Sequence, residues 1–220
     1  FLDPNATALS CLCWFYADSF AHLGANGDEA SLSVQADGTG TGRIWLAVNR
    51  NGAGDFRCQS VIGGTDLNGT TNVATGRWYH GAVTTSGTGV GSTVRVYLNG
   101  IEEANASRDP EAATGAHLLG KHKAPSTNRE EWDGLIAEFH IYNRELSPNE
   151  VLSLMQNPGS ITRGLQCYLP LDAFTTLDMD YSGNGRNGTV TGAIASEFWP
   201  PHSGRWLRPN PSAQLVMAGG

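Results

Sequence analysis

A chain of 220 residues with 40% hydrophobic and 16% charged residues, rich in Gly (28), has the composition of a folded, loop-rich protein and excludes intrinsic disorder. Fourteen Lys and Arg against 21 Asp and Glu leave a formal charge of −7, and no basic stripe offers phosphate neutralisation, which argues against nucleic acid as a partner. No apolar run approaches the roughly 20 residues of a membrane helix, so no membrane partner is expected, and the length suits one large all-β domain of about 200–250 residues.

In chain order, strand-length runs between Gly, Asn, Asp and Ser clusters predict strands near 8–17, 30–36, 43–49, 55–62, 77–85, 92–98, 116–120, 133–142, 165–171 and 187–194. The chain opens at Phe1 rather than Met, as expected of a processed chain or a portion of a longer one. In the first strand Cys11 and Cys13 lie two apart and so face one side. With Cys58 and Cys167 they lack the paired spacing of a zinc site. They read as small buried side chains, with a Cys13–Cys58 disulfide as the alternative. Glycosylation-type sequons begin at Asn5, Asn68, Asn105 and Asn187, and are read as turn chemistry.

The stretch STVRVYLNGIEE predicts a hairpin: Val94, Val96 and Leu98 alternate with Arg95 and Tyr97, and Asn99-Gly100 suits a two-residue type I′ turn. One helix is predicted, in LSPNEVLSLMQNP, with Ser147 as N-cap, Pro148 at the first position, Glu150 completing a capping box and Pro158 after the end. Val151, Leu154 and Met155 form its apolar face. One short helix among ten strands excludes a parallel α/β sheet, whose strands each need a crossover. Beyond Ser196 the segment carries Pro200, Pro201, Pro209 and Pro211 with Trp199 and Trp206. It is expected to lie as an arm across a surface rather than in a sheet, because proline removes ladder donors.

Four pieces in order, GRWYHGAV (76–83), VRVYLNG (94–100), LLGKH (118–122) and WDGLIAEFHIYNRELSPNEVLSL (132–154), resemble the laminin-G-like, concanavalin A-type jelly-roll family over residues 8 to 195. Each motif alone is unspecific; the ordered set is not. The resemblance implies a two-sheet antiparallel jelly-roll sandwich with one short helix near 147–156. The residues agree: Leu135, Ala137, Phe139 and Ile141 alternate with Ile136, Glu138, His140 and Tyr142, as for a strand whose first set lines the core. Trp78, His80 and Ala82 share a face, and His80 is read as a buried structural histidine.

The order of parts departs from the family. LQCYLPLD followed by DYSGNGRNGT commonly opens such domains, whereas here it follows the helix. The expected organisation is a domain over 1–195, with 165–194 supplying permuted terminal strands, and a Pro/Trp-rich arm over 196–220. The arrangement resembles a variant found in proteins of tailed bacteriophages.

Glycosidases of this fold need paired carboxylates, and the laminarinase-like branch carries them as E-x-D-x-x-E. Glu102-Glu103, Glu130-Glu131 and Glu138 do not reproduce that spacing, and no G-x-S-x-G elbow occurs, so no catalytic residue is assigned. The resemblance brings in calcium as a candidate ion, for which Asp178, Asp180 and Asn184 are the residues to examine, against a reading as Asx-turns. No cofactor is otherwise expected. Glycan binding would need exposed aromatic platforms, with Trp45 and Trp132, the latter beside Glu130, Glu131 and Asp133, as candidates. The sequence thus reads as a non-catalytic adhesion module on a virion or extracellular surface. It would serve as a phage capsid-decoration or tail-associated protein contacting other virion or surface subunits, or as a homo-oligomer. The alternative is a secreted or cell-surface lectin-like domain that binds glycans, with or without calcium.

Overall fold

Sixteen elements follow one another in the computed structural model, which describes residues 8–35, 44–62, 65–110, 117–121, 131–172, 177–196, 200–201 and 214–217. They are β1 (Leu9–Ala17), β2 (Glu29–Gln35), β3 (Ile44–Arg50), β4 (Phe56–Ile62), β5 (Thr65–Asn72), β6 (Trp78–Thr85), β7 (Ser92–Leu98) and β8 (Ile101–Arg108). After these come β9 (His117–Leu119), β10 (Gly134–Tyr142), α1 (Pro148–Gln156), β11 (Leu165–Leu169), β12 (Leu177–Asp178), β13 (Gly188–Thr189), β14 (Ala193–Ser196) and β15 (Gln214–Met217). Two antiparallel sheets result, in the orders β14-β15-β10-β1-β6-β7-β8 and β5-β4-β3-β2-β9, with β12 and β13 as a small separate ribbon. This is the jelly-roll sandwich that the sequence predicts.

The core between the sheets is built from alternate residues. Cys11, Cys13 and Phe15 of β1 meet Leu32, Leu46 and Val48 of the facing sheet, together with Val83, Val94 and Val96. All four cysteines are buried free thiols, so the Cys13–Cys58 disulfide is not formed. The predicted turn at Asn99-Gly100 is present, with φ of 52° and 78°, the positive pair that a type I′ hairpin requires. At the far edges β5 and β8 are clasped by one carboxylate. Glu103 accepts from the amides and hydroxyls of both Thr70 and Thr71, all at 2.7 Å.

On the outer face of the larger sheet, α1 lays Val151 and Leu154 on Leu12, Ala82, Tyr97 and Tyr142, each burial contributing about 1.5–3 kcal/mol. Met155 is only half-buried. The capping box forms as expected: the Ser147 hydroxyl accepts from the Glu150 amide and the Glu150 carboxylate accepts from the Ser147 amide. Arg144 clamps the same carboxylate at 2.7 and 2.9 Å.

β10 organises the rest, and here the sequence expectation needs correcting. The strand holds a bulge against β1 between Leu12 and Trp14, centred on Glu138, whose φ is 54°. An extra residue flips the side-chain phase. Ile136 therefore lines the inter-sheet core before the bulge, and Phe139 and Ile141 after it, while Tyr142 faces the helix. The single alternating set Leu135, Ala137, Phe139 and Ile141 does not exist. Trp78, His80 and Ala82 do share a face, but the outer one; Tyr79 and Val83 point into the core. Gly134 opens β10 at φ 147°, where a Cβ would stand 2.0 Å from the Tyr16 carbonyl oxygen, so only glycine fits there.

The far edge of β10 is shared by two later strands. β15 pairs with Gly134–Ile136 and β11 with Phe139–Tyr142. Residues Gln214–Met217 of the expected arm are thus in the sheet rather than across a surface, because this stretch carries no proline and can complete a ladder. Trp199 and Trp206 lie outside the described residues. Two sequons read as turns are strands instead: Asn68 sits in β5 and Asn105 in β8. Asn187 lies in irregular chain just before β13, and Asn5 lies outside the described residues.

Candidate functional site

After β11 the chain turns at Leu171, whose φ of 61° is unusual for leucine, and whose amide donates to Asp178 Oδ2 at 3.2 Å. The following tight turn is knitted by side chains that accept backbone donors. Asp180 takes the amides of Tyr168, Ser182 and Arg186 and the Ser182 hydroxyl, at 2.8–2.9 Å. Partial burial alone would raise its carboxyl, but those hydrogen bonds outweigh it and hold the group below the ordinary value. Asn187 Oδ1 accepts the Asp180 amide, and Asn184 Nδ2 donates to the carbonyls of Leu165 and Gln166.

Of the three residues examined for calcium, two are therefore turn-builders. Asn184 directs its amide nitrogen toward β11 as a donor to two carbonyls. Asp178 points elsewhere, and among the described residues no group of three His, Cys, Asp or Glu side chains has metal-site spacing.

Between β9 and the 186–193 segment runs a cleft of about 310 Å³. It lies where the smaller sheet ends at β9. Its apolar lining includes Leu119, Phe139, Leu169, Leu171 and Val190, and its polar groups include His117 and Asp178. Asp178 is 1% exposed. Its Oδ1 has no hydrogen-bond partner among the described residues. Desolvation, then the nearby Asp172 carboxylate and, more weakly, Glu138, push its carboxyl up to about 7.

His117 closes the other wall. The residue is half-buried, but its Nδ1 has no exposed surface. Its Nε2 meets the Ser33 hydroxyl, which in turn lies 3.3 Å from the Cys11 thiol. Burial pushes the imidazole down to about 3 and the thiol up to about 12, so both are neutral at pH 7. This Cys–Ser–His chain resembles a nucleophilic relay only in its residue types: Cys11 and Ser33 are sealed in the core, and the chain serves to orient His117.

A second buried polar cluster lies under the bulge. Glu138 Oε2 accepts the Tyr168 hydroxyl at 2.6 Å. His140 stacks on Tyr168 with ring centroids 4.2 Å apart, accepts the Gly159 amide at Nε2 and holds the Glu138 carbonyl through Nδ1. These bonds tie the bulge to β11 and to the turn after α1.

The remaining candidates take structural positions. Trp45 and Trp132 are 3% and 1% exposed, so neither is a platform for a sugar ring. Trp132 packs edge-on against Phe15 and donates its indole N–H to the Leu135 carbonyl. Glu131 pairs with Lys121 at 2.8 Å and Glu102 with Arg95 at 3.5 Å; Glu130 lies outside the described residues. Asp133 accepts the Asp18 amide through its carbonyl. His80 is buried, edge-on to Trp14, as predicted for a structural histidine. No helix among the described residues is long and apolar enough to cross a membrane.

The family described as the concanavalin A-like lectin/glucanases superfamily matches residues 2–152 of this chain. In structure, the chain is similar to a Bacteroides ovatus protein described as a candidate carbohydrate-binding protein (19% identity, TM-score 0.63), covering 84% of this chain. The match spans 52% of the Bacteroides chain, about half its length. It is also similar to a heptameric SAP-like pentraxin of Limulus polyphemus, at 12% identity and TM-score 0.53, over 68% of this chain and 71% of the other. The CBM40 of a Ruminococcus gnavus sialidase, solved with sialyllactose bound, matches at 16% identity and TM-score 0.48, over 69% of this chain and 84% of that one. At such identities the likeness is one of fold. Among curated protein sequences none matches.

Proposed function

Because this chain belongs to the concanavalin A-like lectin/glucanase superfamily, we propose that it works as a non-catalytic adhesion module on an extracellular or virion surface, holding a carbohydrate in the cleft between β9 and β14. One observation carries the reading: an apolar cleft of about 310 Å³ where the smaller sheet ends, whose polar lining includes His117, Asn187, Thr189 and Thr191. An apolar pocket with few convergent polar groups is the usual form of a small-ligand site. The Bacteroides neighbour described as a candidate carbohydrate-binding protein supports the choice of ligand only through its shared fold. Two of the carboxylates named from the sequence hold structure here, Glu103 as the inter-sheet clasp and Glu138 under the bulge, which favours binding over hydrolysis.

A glycan array tests this, read with and without chelator to examine calcium. Binding lost in Thr191→Trp, which places an indole at the exposed cleft rim, supports the proposal; silence across the array sinks it.

A second reading, a subunit contact on a phage particle as capsid-decoration or tail-associated protein, is favoured by a different feature. Leu177, Met179 and Tyr181 are exposed by 44%, 52% and 63% and alternate with buried Asp178 and half-buried Asp180, so three apolar side chains stand outward together. Such rows commonly mark contact surfaces. Mass in solution distinguishes it: the wild type self-associates or binds particles and the triple serine variant does not. A monomer indifferent to the three changes ends that reading.

A further inference from the structure

The ribbon that walls the cleft is fastened beside β11 through one buried carboxyl. Leu171 turns the chain out of β11 at φ 61°, a region that leucine seldom adopts and that its surroundings must hold in place. Its amide donates to Asp178 Oδ2 at 3.2 Å, which ties the turn to β12. The ribbon itself is slight: Leu177 pairs with Thr189 and Asp178 with Gly188, outside both large sheets. Leu177 and Met179 face outward and add no packing toward the core. The next turn, by contrast, is anchored separately, because Asp180 accepts the amides of Tyr168, Ser182 and Arg186.

A charge on Asp178 is poorly accommodated. The residue is 1% exposed, its Oδ1 has no hydrogen-bond partner, and among the described residues no cation pairs with it. Facing it are the carboxylates of Asp172, just before β12, and Glu138 of β10, with the Cys167 thiol of β11. The other titratable groups at the cleft are directed elsewhere: Arg186 Nη1 donates to Gln166, Lys121 pairs with Glu131, and His117 is a neutral ring. Burial first, then Asp172, therefore hold the carboxyl protonated up to about 7. We infer that Asp178 is a pH-operated latch: protonated, it lets the β12–β13 ribbon lie closed along the cleft, and the need to hydrate its charge lifts the ribbon away. The cleft wall is firm in mild acid and loose from neutral pH upward. Opening releases a proton, because an exposed aspartate titrates at the ordinary 3.8. The opening equilibrium thus rises about tenfold per pH unit between those two values and levels off above the higher one. The latch belongs to the fold and does not depend on what the cleft binds.

The test is amide hydrogen exchange of the whole chain, read residue by residue by NMR from about pH 5 to about pH 8 and corrected for intrinsic exchange. The Leu171 amide and those of the β12–β13 ribbon should open about tenfold more readily per pH unit up to neutrality and then level off. They should do so ahead of the β1 and β6 amides, while Ser182 and Arg186, held by Asp180, do not follow. In Asp178→Asn, which keeps an acceptor for the Leu171 amide, opening of the ribbon should be indifferent to pH. A wild-type ribbon without the pH dependence overturns the latch, as does the same dependence in Asp178→Asn. Ribbon amides that exchange only together with β1 and β6 overturn it too. The wild-type profile is read without the variant, so a poorly folded Asp178→Asn leaves the test intact.

Discussion

The Tyr168 hydroxyl donates to the Glu138 carboxylate across 2.6 Å, joining β11 to a bulge 30 residues earlier in the chain. Glu138 is 1% exposed, so this bond satisfies a carboxyl oxygen in a place where water does not reach. Tyr168→Phe keeps the ring stacked on His140 and removes only the hydroxyl. It should cost about 1–3 kcal/mol, measured by urea unfolding, with an unchanged slope if only the native state is affected.

Asp178 should make stability fall as the solution becomes basic. Its folded carboxyl is raised to about 7 from the ordinary 3.8. Below the lower value both states are protonated and there is no penalty. Between the two the unfolded state ionises first, and above 7 the full penalty applies. Asp178→Asn is therefore expected to be more stable than wild type by up to about 4 kcal/mol near pH 8, the gain vanishing in acid. Thermal melts across pH check it, and a gain that persists in acid would count against the assignment.

Glu150 has the opposite sign. Arg144 first, then the Ser147 amide and hydroxyl, overcome partial burial and lower its carboxyl from 4.5 to about 2. The stability it confers is present above 4.5 and is lost as pH falls toward 2. Glu150→Gln should lower the melting point at neutral pH and converge with wild type in strong acid. Ser147→Ala should cost about 1 kcal/mol by removing the helix cap.

The thiols give a kinetic test. Burial pushes Cys11, Cys58 and Cys167 up to about 12, and Cys13 rises too, by burial and then by its neighbours Cys11 and Cys58. None presents a thiolate at neutral pH. Alkylating reagent should leave all four unmodified in the native chain and modify all four in urea. Rapid native labelling of Cys58 would mean that the two sheets part readily.

Local signals survived into the structure where their meaning is local. Ser147 with Glu150 caps a helix, and Asn99-Gly100 turns a hairpin, because the neighbouring backbone alone satisfies them. β5 left no such signal: its TDLNGTTN sequence buries only Leu67 and Gly69 and is held by its neighbour β4 and by Glu103. In LDMDY the usual pattern is inverted, since Leu177, Met179 and Tyr181 face out while Asp178 is buried. A carboxylate at the buried parity is what the sequence misled about.

The sequence by itself determined the sandwich, its hairpin, its capped helix and the turn-forming role of Asp180 and Asn184, all from periodicities and short-range donors and acceptors. Tertiary structure alone decided three things. The bulge at Glu138 re-phased β10, Gln214–Met217 joined the sheet, and residues from β9, β10, β11 and the 186–193 segment met around a cleft. A register shift and a shared strand edge depend on what lies opposite, and the chain's own order does not encode that.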